Sequence, residues 1–326
     1  MTQWDRQMSL DRRIQEAEKE LFAAVGAEVE QVFIDLPRTG MRVRVLSQGG
    51  GPPVLLMHGV TLSAAAWAPL FAELHGFRLL AVDLPGHGLS DPVCYQRGRV
   101  RAHAHRWIDD ILDELGLDCV PIIGHSLGGM FALWHAAAGS KRISELSAVG
   151  VPAVALAGVR VRMPLSLLTV RGLGVAVQRA PSPLLVYRRL LEQGLGSAEV
   201  RMAPEALIET LRLSACRPEN ARTVASLMHA IDHFRRPRAE SVLSDAELAA
   251  IRVPTLFVLG SNDPYLSPRE ARPSIGRIPT ATVHEMPAGH GPWLVDPAGV
   301  AGLIAAHIHP QVAVVDGCDR PGGREF

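Results

Sequence analysis

The sequence lacks an excess of charge of either sign, because its 326 residues include 33 basic and 33 acidic side chains. Proteins that bind nucleic acids usually carry a basic face that neutralises phosphate groups. The charge balance gives no electrostatic support for such a partner. We therefore expect a small-molecule ligand or substrate and no nucleic acid.

Cysteine is scarce, and the four cysteines form no pattern that indicates a disulfide framework or a metal site. Cys94, Cys119, Cys216 and Cys318 lie far apart, without a C-x-x-C pair or a spacing typical of metal ligands. The sequence also contains no motif typical of a nucleotide or flavin site. We therefore expect reduced thiols in a cytoplasmic protein that needs no metal and no other cofactor.

Long apolar runs are missing as well. The first six residues, M-T-Q-W-D-R, do not begin an apolar core of the kind found in signal peptides. The most apolar long run covers residues 148–159, which is too short to span a bilayer and contains Pro152. We therefore expect no stable membrane insertion.

The sequence is organised around residues 120–130, which read V-P-I-I-G-H-S-L-G-G-M. An apolar run ends in G-H-S-L-G, and a segment compatible with a helix follows at once. In this strand–turn–helix context, a G-x-S-x-G pentapeptide exposes a serine nucleophile on a strained turn. Glycines are needed two positions before and after the serine, because a Cβ atom there would collide with the neighbouring strand or helix. Ser126 is therefore the predicted nucleophile.

Segments typical of strands and helices alternate on both sides of this stretch, which predicts an α/β fold with a doubly wound, mostly parallel sheet. The first two strands are short, alternate in polarity and are joined by a turn, so we expect them to pair in antiparallel fashion. In addition to the strand before Ser126, the predicted strands lie near residues 31–34, 41–45, 54–57, 78–82, 145–150, 253–259 and 282–286.

The alternation stops between residues 152 and 240, where prolines separate short helical stretches. This segment contains 13 arginines, no lysine and 7 acidic residues. We interpret it as a helical cap inserted above the sheet. The predicted domains are then an N-terminal helical extension, a core in two parts, the cap and a disordered tail, at residues 1–30, 31–151 with 241–309, 152–240 and 310–326.

Three polar residues follow the carboxyl ends of predicted strands, where open α/β sheets bind ligands. They are Ser126, Asp263 and His290, in that order along the chain. A serine needs a base to remove its proton, and a histidine base needs a carboxylate to fix its tautomer. No acidic residue occurs between positions 146 and 160, so Asp263 is the predicted acid, and Asp232 in the cap is the alternative.

The same chemistry requires hydrogen-bond donors for the oxyanion of the reacting acyl group. The backbone N–H of Leu127, which follows the nucleophile, is one predicted donor. The other is the N–H of Val60, in the loop after the strand that ends at Met57. His125 and Trp293 are candidates for contact with the substrate, and His125 is not expected to transfer protons.

Five motifs together resemble those of the α/β-hydrolase superfamily, and the likeness extends over about residues 30–309. The motifs are H-G at residues 58–59, D-L-P-G-H-G-L-S-D at 83–91, G-H-S-L-G-G at 124–129, G-S-N-D at 260–263 and G-H-G at 289–291. The resemblance implies the fold of that superfamily, with a cap. Serine at position 126 argues against the branches that attack through a carboxylate.

The resemblance leaves three functions open. The first is a serine hydrolase that cleaves a carboxylic ester or related acyl compound through an acyl-enzyme. Residues 151–186 carry many apolar side chains and no acid, so we expect an apolar acyl pocket under the cap. The second is a hydrolase of C–C bonds in ring-cleavage products. The third is a ligand receptor that keeps the three residues but turns over little substrate.

Overall fold

The computed structural model describes residues 3–163, 165–170, 175 and 183–308. The tail that the sequence predicts from residue 310 lies outside the described residues. These described residues contain eight strands: β1 (Glu30–Leu36), β2 (Met41–Gln48), β3 (Pro53–Met57), β4 (Arg78–Val82), β5 (Val120–His125), β6 (Ile143–Val149), β7 (Thr255–Gly260) and β8 (Ala281–Met286).

The strands form one sheet in the order β1-β2-β4-β3-β5-β6-β7-β8. The β1–β2 and β2–β4 pairs are antiparallel, and the remaining neighbours are parallel. The central strands are apolar and buried, because helices cover both faces of a parallel sheet. The predicted doubly wound, mostly parallel sheet is therefore confirmed.

The helices of the described residues lie before, between and after these strands. They are α1 (Gln3–Ala24), α2 (Ala68–Phe71), α3 (Val100–Glu114), α4 (Leu127–Ala137), α5 (Leu184–Leu195), α6 (Ser197–Met202), α7 (Glu205–Ala215), α8 (Pro218–Ile231), α9 (Asp245–Ala250), α10 (Pro268–Ile275), α11 (Pro292–Val295) and α12 (Pro297–Ile308). Short 3₁₀ helices cover Ala64–Trp67, Leu165–Thr169 and Ala239–Ser241.

Helices α5 to α8 lie between β6 and β7 in the chain and form a cap over the carboxyl ends of the central strands. Side chains of α5, α7 and α8 line a cavity together with Ser126, which follows β5. The inserted helical cap is thus present, and its predicted limits at residues 152 and 240 stay a prediction.

A buried network of charges ties the N-terminal helix to the sheet. The guanidinium of Arg44, on β2, donates hydrogen bonds to Glu18 of α1 at 2.6 and 2.7 Å and to Asp83 at 2.7 Å. Asp83 also accepts from the backbone N–H groups of Ala64 and Leu89. Although burial opposes its ionisation, Arg44 and these donors hold the pKa of Asp83 below its ordinary value.

The turn between β5 and α4 is confined on two sides. A Cβ atom at Gly128 would lie 2.1 Å from the carbonyl oxygen of Met57 on β3, and one at Gly124 would lie 2.6 Å from the Cα of Gly129. The backbone of Ser126 adopts φ 48° and ψ −105°, a conformation that residues other than glycine rarely adopt. The predicted need for both glycines is confirmed, since strand and helix leave no space for side chains.

Replacement of Gly128 by alanine should therefore destabilise the fold. We expect Gly128→Ala to lower the free energy of unfolding by about 1–3 kcal/mol, because the new methyl group overlaps a fixed backbone carbonyl. Urea denaturation measures this change. Gly302→Ala is the matched control: Gly302 is exposed in α12 with no atom near its Cβ position, so alanine should stabilise it by up to about 1 kcal/mol. Equal effects at the two positions would contradict the packing account.

Candidate active site

Asp263 and His290 are in direct contact at the carboxyl edge of the sheet. Asp263 follows β7 and His290 follows β8, and their Oδ2 and Nδ1 atoms are 2.6 Å apart. Asp263 also accepts hydrogen bonds from the N–H groups of Tyr265 at 3.0 Å and Val151 at 3.2 Å. Because a carboxylate only accepts hydrogen bonds, the imidazole proton lies on Nδ1, and Nε2 of His290 is left as an acceptor.

Ser126 lies at the end of β5, and its side chain lines the same cavity as His290. Both residues are nearly inaccessible from bulk solvent, with 6% and 4% of their surfaces exposed. Ser126 directly precedes α4, so the positive end of that helix faces the place where a substrate carbonyl would react. The structure thus brings the three predicted residues to one place, and their catalytic roles stay a prediction.

Asp232, the alternative acid, lies at the end of α8 in the cap. Its Oδ1 accepts a hydrogen bond from the backbone N–H of Arg235 at 2.9 Å, and its burial raises the pKa of the carboxyl group. The carboxylate in contact with His290 is that of Asp263. Asp232 therefore belongs to a turn of the cap.

Val60 and Leu127, the predicted oxyanion donors, both line the cavity beside Ser126. Leu127 is the first residue of α4, where a backbone N–H has no acceptor within its own helix. Among the described residues, neither N–H donates a hydrogen bond to another group of the chain. Both donors can therefore serve a bound ligand.

His58 holds the loop that carries Val60. Its Nδ1 donates to the carbonyl oxygen of Gly59 at 2.7 Å, and its Nε2 accepts from the N–H of Leu84 at 3.0 Å. Burial, assisted by the neighbouring His87, lowers the pKa of His58 to about 3. The imidazole is thus neutral and supports the loop through these two hydrogen bonds.

The two predicted substrate contacts have different positions. His125 lines the cavity, and its Nε2 donates to the carbonyl oxygen of His290 at 3.0 Å. Burial lowers the pKa of His125 well below its ordinary value, so the ring stays neutral. Trp293 instead is fully buried behind His125, with ring centroids 4.5 Å apart, and donates to the carbonyl oxygen of Ala66. The prediction that Trp293 contacts the substrate is therefore wrong, because α11 turns its side chain into the core and away from the cavity.

The cavity above Ser126 has a volume of about 170 Å³ and a mainly apolar lining. Arg212 is the only lysine, arginine, aspartate or glutamate among the described lining residues, and its guanidinium is occupied by Glu209 at 2.6 and 2.7 Å. Apolar lining residues from the cap and the strand ends include Val154, Val159, Val161, Leu165, Leu168 and Leu191.

The predicted apolar face of the cap is correct in part. Its first half contributes to the cavity, whereas Leu185 on α5 is 65% exposed and points into solvent. Residues 164, 171–174 and 176–182 of the apolar segment predicted at residues 151–186 lie outside the described residues. Sequence reasoning also missed Tyr265, whose ring packs 4.5 Å from that of His290. Only its position two residues after the predicted acid could have indicated this contact.

Two kinds of feature are absent from the described ranges. No group of three or more histidine, cysteine, aspartate or glutamate side chains there is arranged to hold a metal ion. Within the same ranges, no helix has the length and apolar character required to cross a membrane.

A serine after the central strand, with an aspartate and a histidine after two later strands, defines a hydrolase of the α/β class. The chain belongs to the alpha/beta hydrolase fold family, which it matches over residues 52–297. The fold agrees with this assignment: carboxylesterase CesB from Bacillus subtilis aligns with a TM-score of 0.73 at 19% identity, covering 92% of this chain and 99% of that chain.

Two relatives by sequence have different reactions in their names. A 2-hydroxy-6-oxononadienedioate/2-hydroxy-6-oxononatrienedioate hydrolase of Cupriavidus pinatubonensis is 36% identical over 120 residues, which cover 34% of this chain and 40% of the relative. A pimeloyl-(acyl-carrier protein) methyl ester esterase of Nitrosospira multiformis is 26% identical over 229 residues, which cover 70% of this chain and 82% of the relative. The match to the first relative thus spans less than half of its length.

Neutral buried histidines beside the site should make stability depend on pH. Burial lowers the pKa of His58 to about 3 and that of His87 to about 4, from an ordinary 6.5. As the pH falls below 6.5, these two histidines bind protons in the unfolded chain but not in the folded chain, so the folded state loses stability. Each histidine should contribute about 1.4 kcal/mol per pH unit. In urea denaturation between pH 7 and 5, the free energy of unfolding should fall less steeply with decreasing pH for His87→Gln than for the wild type. Equal slopes would contradict a neutral, buried His87.

Proposed function

We propose that this chain is a serine hydrolase that cleaves carboxylic esters with an apolar acyl group through an acyl-enzyme intermediate. The observation that carries the proposal is the contact of 2.6 Å between His290 Nδ1 and Asp263 Oδ2, beside a serine on a strained turn. Ser126 and His290 line one mainly apolar cavity, and Ser126 is the lining hydroxyl that directly precedes α4.

In the first half of the reaction, Ser126 Oγ attacks the ester carbonyl carbon, and its proton passes to Nε2 of His290. Asp263 stabilises the imidazolium that forms. The carbonyl oxygen becomes an oxyanion that accepts hydrogen bonds from the N–H groups of Val60 and Leu127. When the C–O bond breaks, His290 returns the proton to the leaving alkoxide, and the alcohol departs.

In the second half, a water molecule replaces the alcohol. His290 removes a proton from it, and the resulting hydroxide attacks the acyl carbon of the ester formed with Ser126. The same two N–H groups stabilise the second oxyanion. Collapse of this intermediate returns the proton to Ser126 Oγ and releases the carboxylic acid, so that each turnover consumes one ester and one water.

The cavity supports a neutral, apolar acyl group of limited size. A dry cavity of about 150 Å³ in another protein accommodates benzene, so the 170 Å³ here corresponds to about six carbon atoms. A buried carboxylate needs an unoccupied cation, because desolvation of the charge is costly. Arg212, already paired with Glu209, does not offer one.

Hydrolysis of a C–C bond is the second candidate function. It is favoured by the name of the Cupriavidus relative, whose matched segment covers 34% of this chain. A dienedioate carries two carboxylates, for which the described lining offers only the paired Arg212. Comparison of vinylogous diketones with simple esters distinguishes the two reactions, and we expect the esters to be the better substrates.

The length of the acyl chain tests the proposal. The kcat/KM for p-nitrophenyl esters should rise several-fold for every two carbons from acetate to about hexanoate, because each buried methylene contributes about 0.8 kcal/mol. Beyond that length the cavity is full and the increase should stop. Steady-state kinetics from acetate through decanoate measure the profile, with Ser126→Ala as the inactive control. A rate that falls steadily from acetate onward would refute an apolar acyl pocket.

A further inference from the structure

Two groups of the cap hold the loop that carries His290. The backbone N–H of His290 donates to the carbonyl oxygen of Leu195, at the end of α5, over 2.7 Å. The N–H of Gly289 donates to the carboxylate of Glu199 on α6. Consecutive amides of this loop are therefore bound to the cap, and the sheet contributes no acceptor to either of them.

The carboxylate of Glu199 occupies a space that three glycines leave open. A Cβ atom at Gly196 would lie 2.1 Å from its Oε2, and one at Gly289 would lie 3.0 Å from both carboxylate oxygens. A Cβ atom at Gly291 would lie 3.4 Å from its Cγ. The glycine before His290 thus has a physical reason in this fold, since a side chain there would crowd both the carbonyl oxygen of Leu195 and the carboxylate of Glu199.

Stability is a poor explanation for this carboxylate. Glu199 is 1% exposed, and in the part of the chain that the structure describes it forms no ion pair. Burial of an acid without a cation costs free energy, which backbone N–H donors only partly offset. Its position against the histidine loop is the feature that sets it apart from the exposed acids of the cap.

We infer that Glu199 is a positioning residue for His290. By holding the N–H of Gly289 it fixes the start of the loop, and with the carbonyl of Leu195 it aligns the imidazole with Asp263. Displacement of the cap would release both amides together, so the active arrangement depends on a closed cap. This inference rests on the proposed catalytic function of His290.

Three substitutions at Glu199 distinguish a role in positioning His290 from the effects of side-chain size and charge. Glu199→Gln keeps an oxygen acceptor at the same reach, Glu199→Asp withdraws the carboxylate by one methylene, and Glu199→Ala removes it. Glu205→Ala is the matched control, because Glu205 is an exposed acid of the cap whose contact is a 3.5 Å ion pair with Arg188. Each variant is compared with the wild-type protein.

We expect kcat for p-nitrophenyl hexanoate to fall about tenfold to a hundredfold in Glu199→Ala and Glu199→Asp, the loss typical of a catalytic group displaced by about 1 Å. KM should change much less, since Glu199 does not line the cavity. Glu199→Gln and Glu205→Ala should stay close to wild type. If Glu199→Ala does not fold, the contrast between Glu199→Asp and Glu199→Gln decides. Equal kcat in those two variants would overturn the inference.

A second readout does not need turnover. The proton on Nδ1 of His290, shared with Asp263, should give a low-field resonance in the proton NMR spectrum. We expect it in wild type and in Glu199→Gln, and broadened or lost in Glu199→Ala or Glu199→Asp. An unchanged resonance in those two variants would overturn the inference. A resonance that depends on Glu199 in a protein that hydrolyses no ester would support positioning and reject the proposed function instead.

Discussion

The arrangement of the site depends on the strained backbone of Ser126, which adopts φ 48° between β5 and α4. This conformation costs about 1–3 kcal/mol and persists only when its surroundings enforce it. The surroundings here are close: Gly128 touches Met57 of the neighbouring strand, and its N–H donates to the carbonyl of His58 at 3.1 Å. This close packing leaves no room for another backbone conformation at Ser126, and its side chain therefore stays at the cavity.

The remaining parts of the site are held by buried polar contacts with separate origins. Asp83, paired with Arg44, binds the N–H of Ala64 and so supports the loop that presents Val60. The cap supports the opposite side through the loop of His290. Ser126, the N–H groups of Val60 and Leu127, and His290 are therefore positioned by the sheet, the N-terminal helix and the cap together, which makes the candidate site sensitive to contacts far from Ser126.

The sequence was informative where local constraints decide the structure. Apolar runs predicted β3 and β4 closely, and G-x-S-x-G required a fixed turn at Ser126. Orientation and long-range contacts could not be predicted in this way. Trp293 follows His290 closely, yet the turn into α11 buries it behind His125. Glu199 reaches Gly289 across 90 residues, and nothing local to a helical cap indicates which of its acids faces the core.

The most direct test of the account is a crystal structure of the protein after reaction with a fluorophosphonate that carries a short alkyl chain. We predict a bond from phosphorus to Ser126 Oγ, with the phosphonyl oxygen about 2.7–3.1 Å from the N atoms of Val60 and Leu127, the range expected for oxyanion donors. The alkyl chain should lie in the apolar cavity. Attachment to another residue, or a phosphonyl oxygen turned away from both N–H groups, would contradict the account.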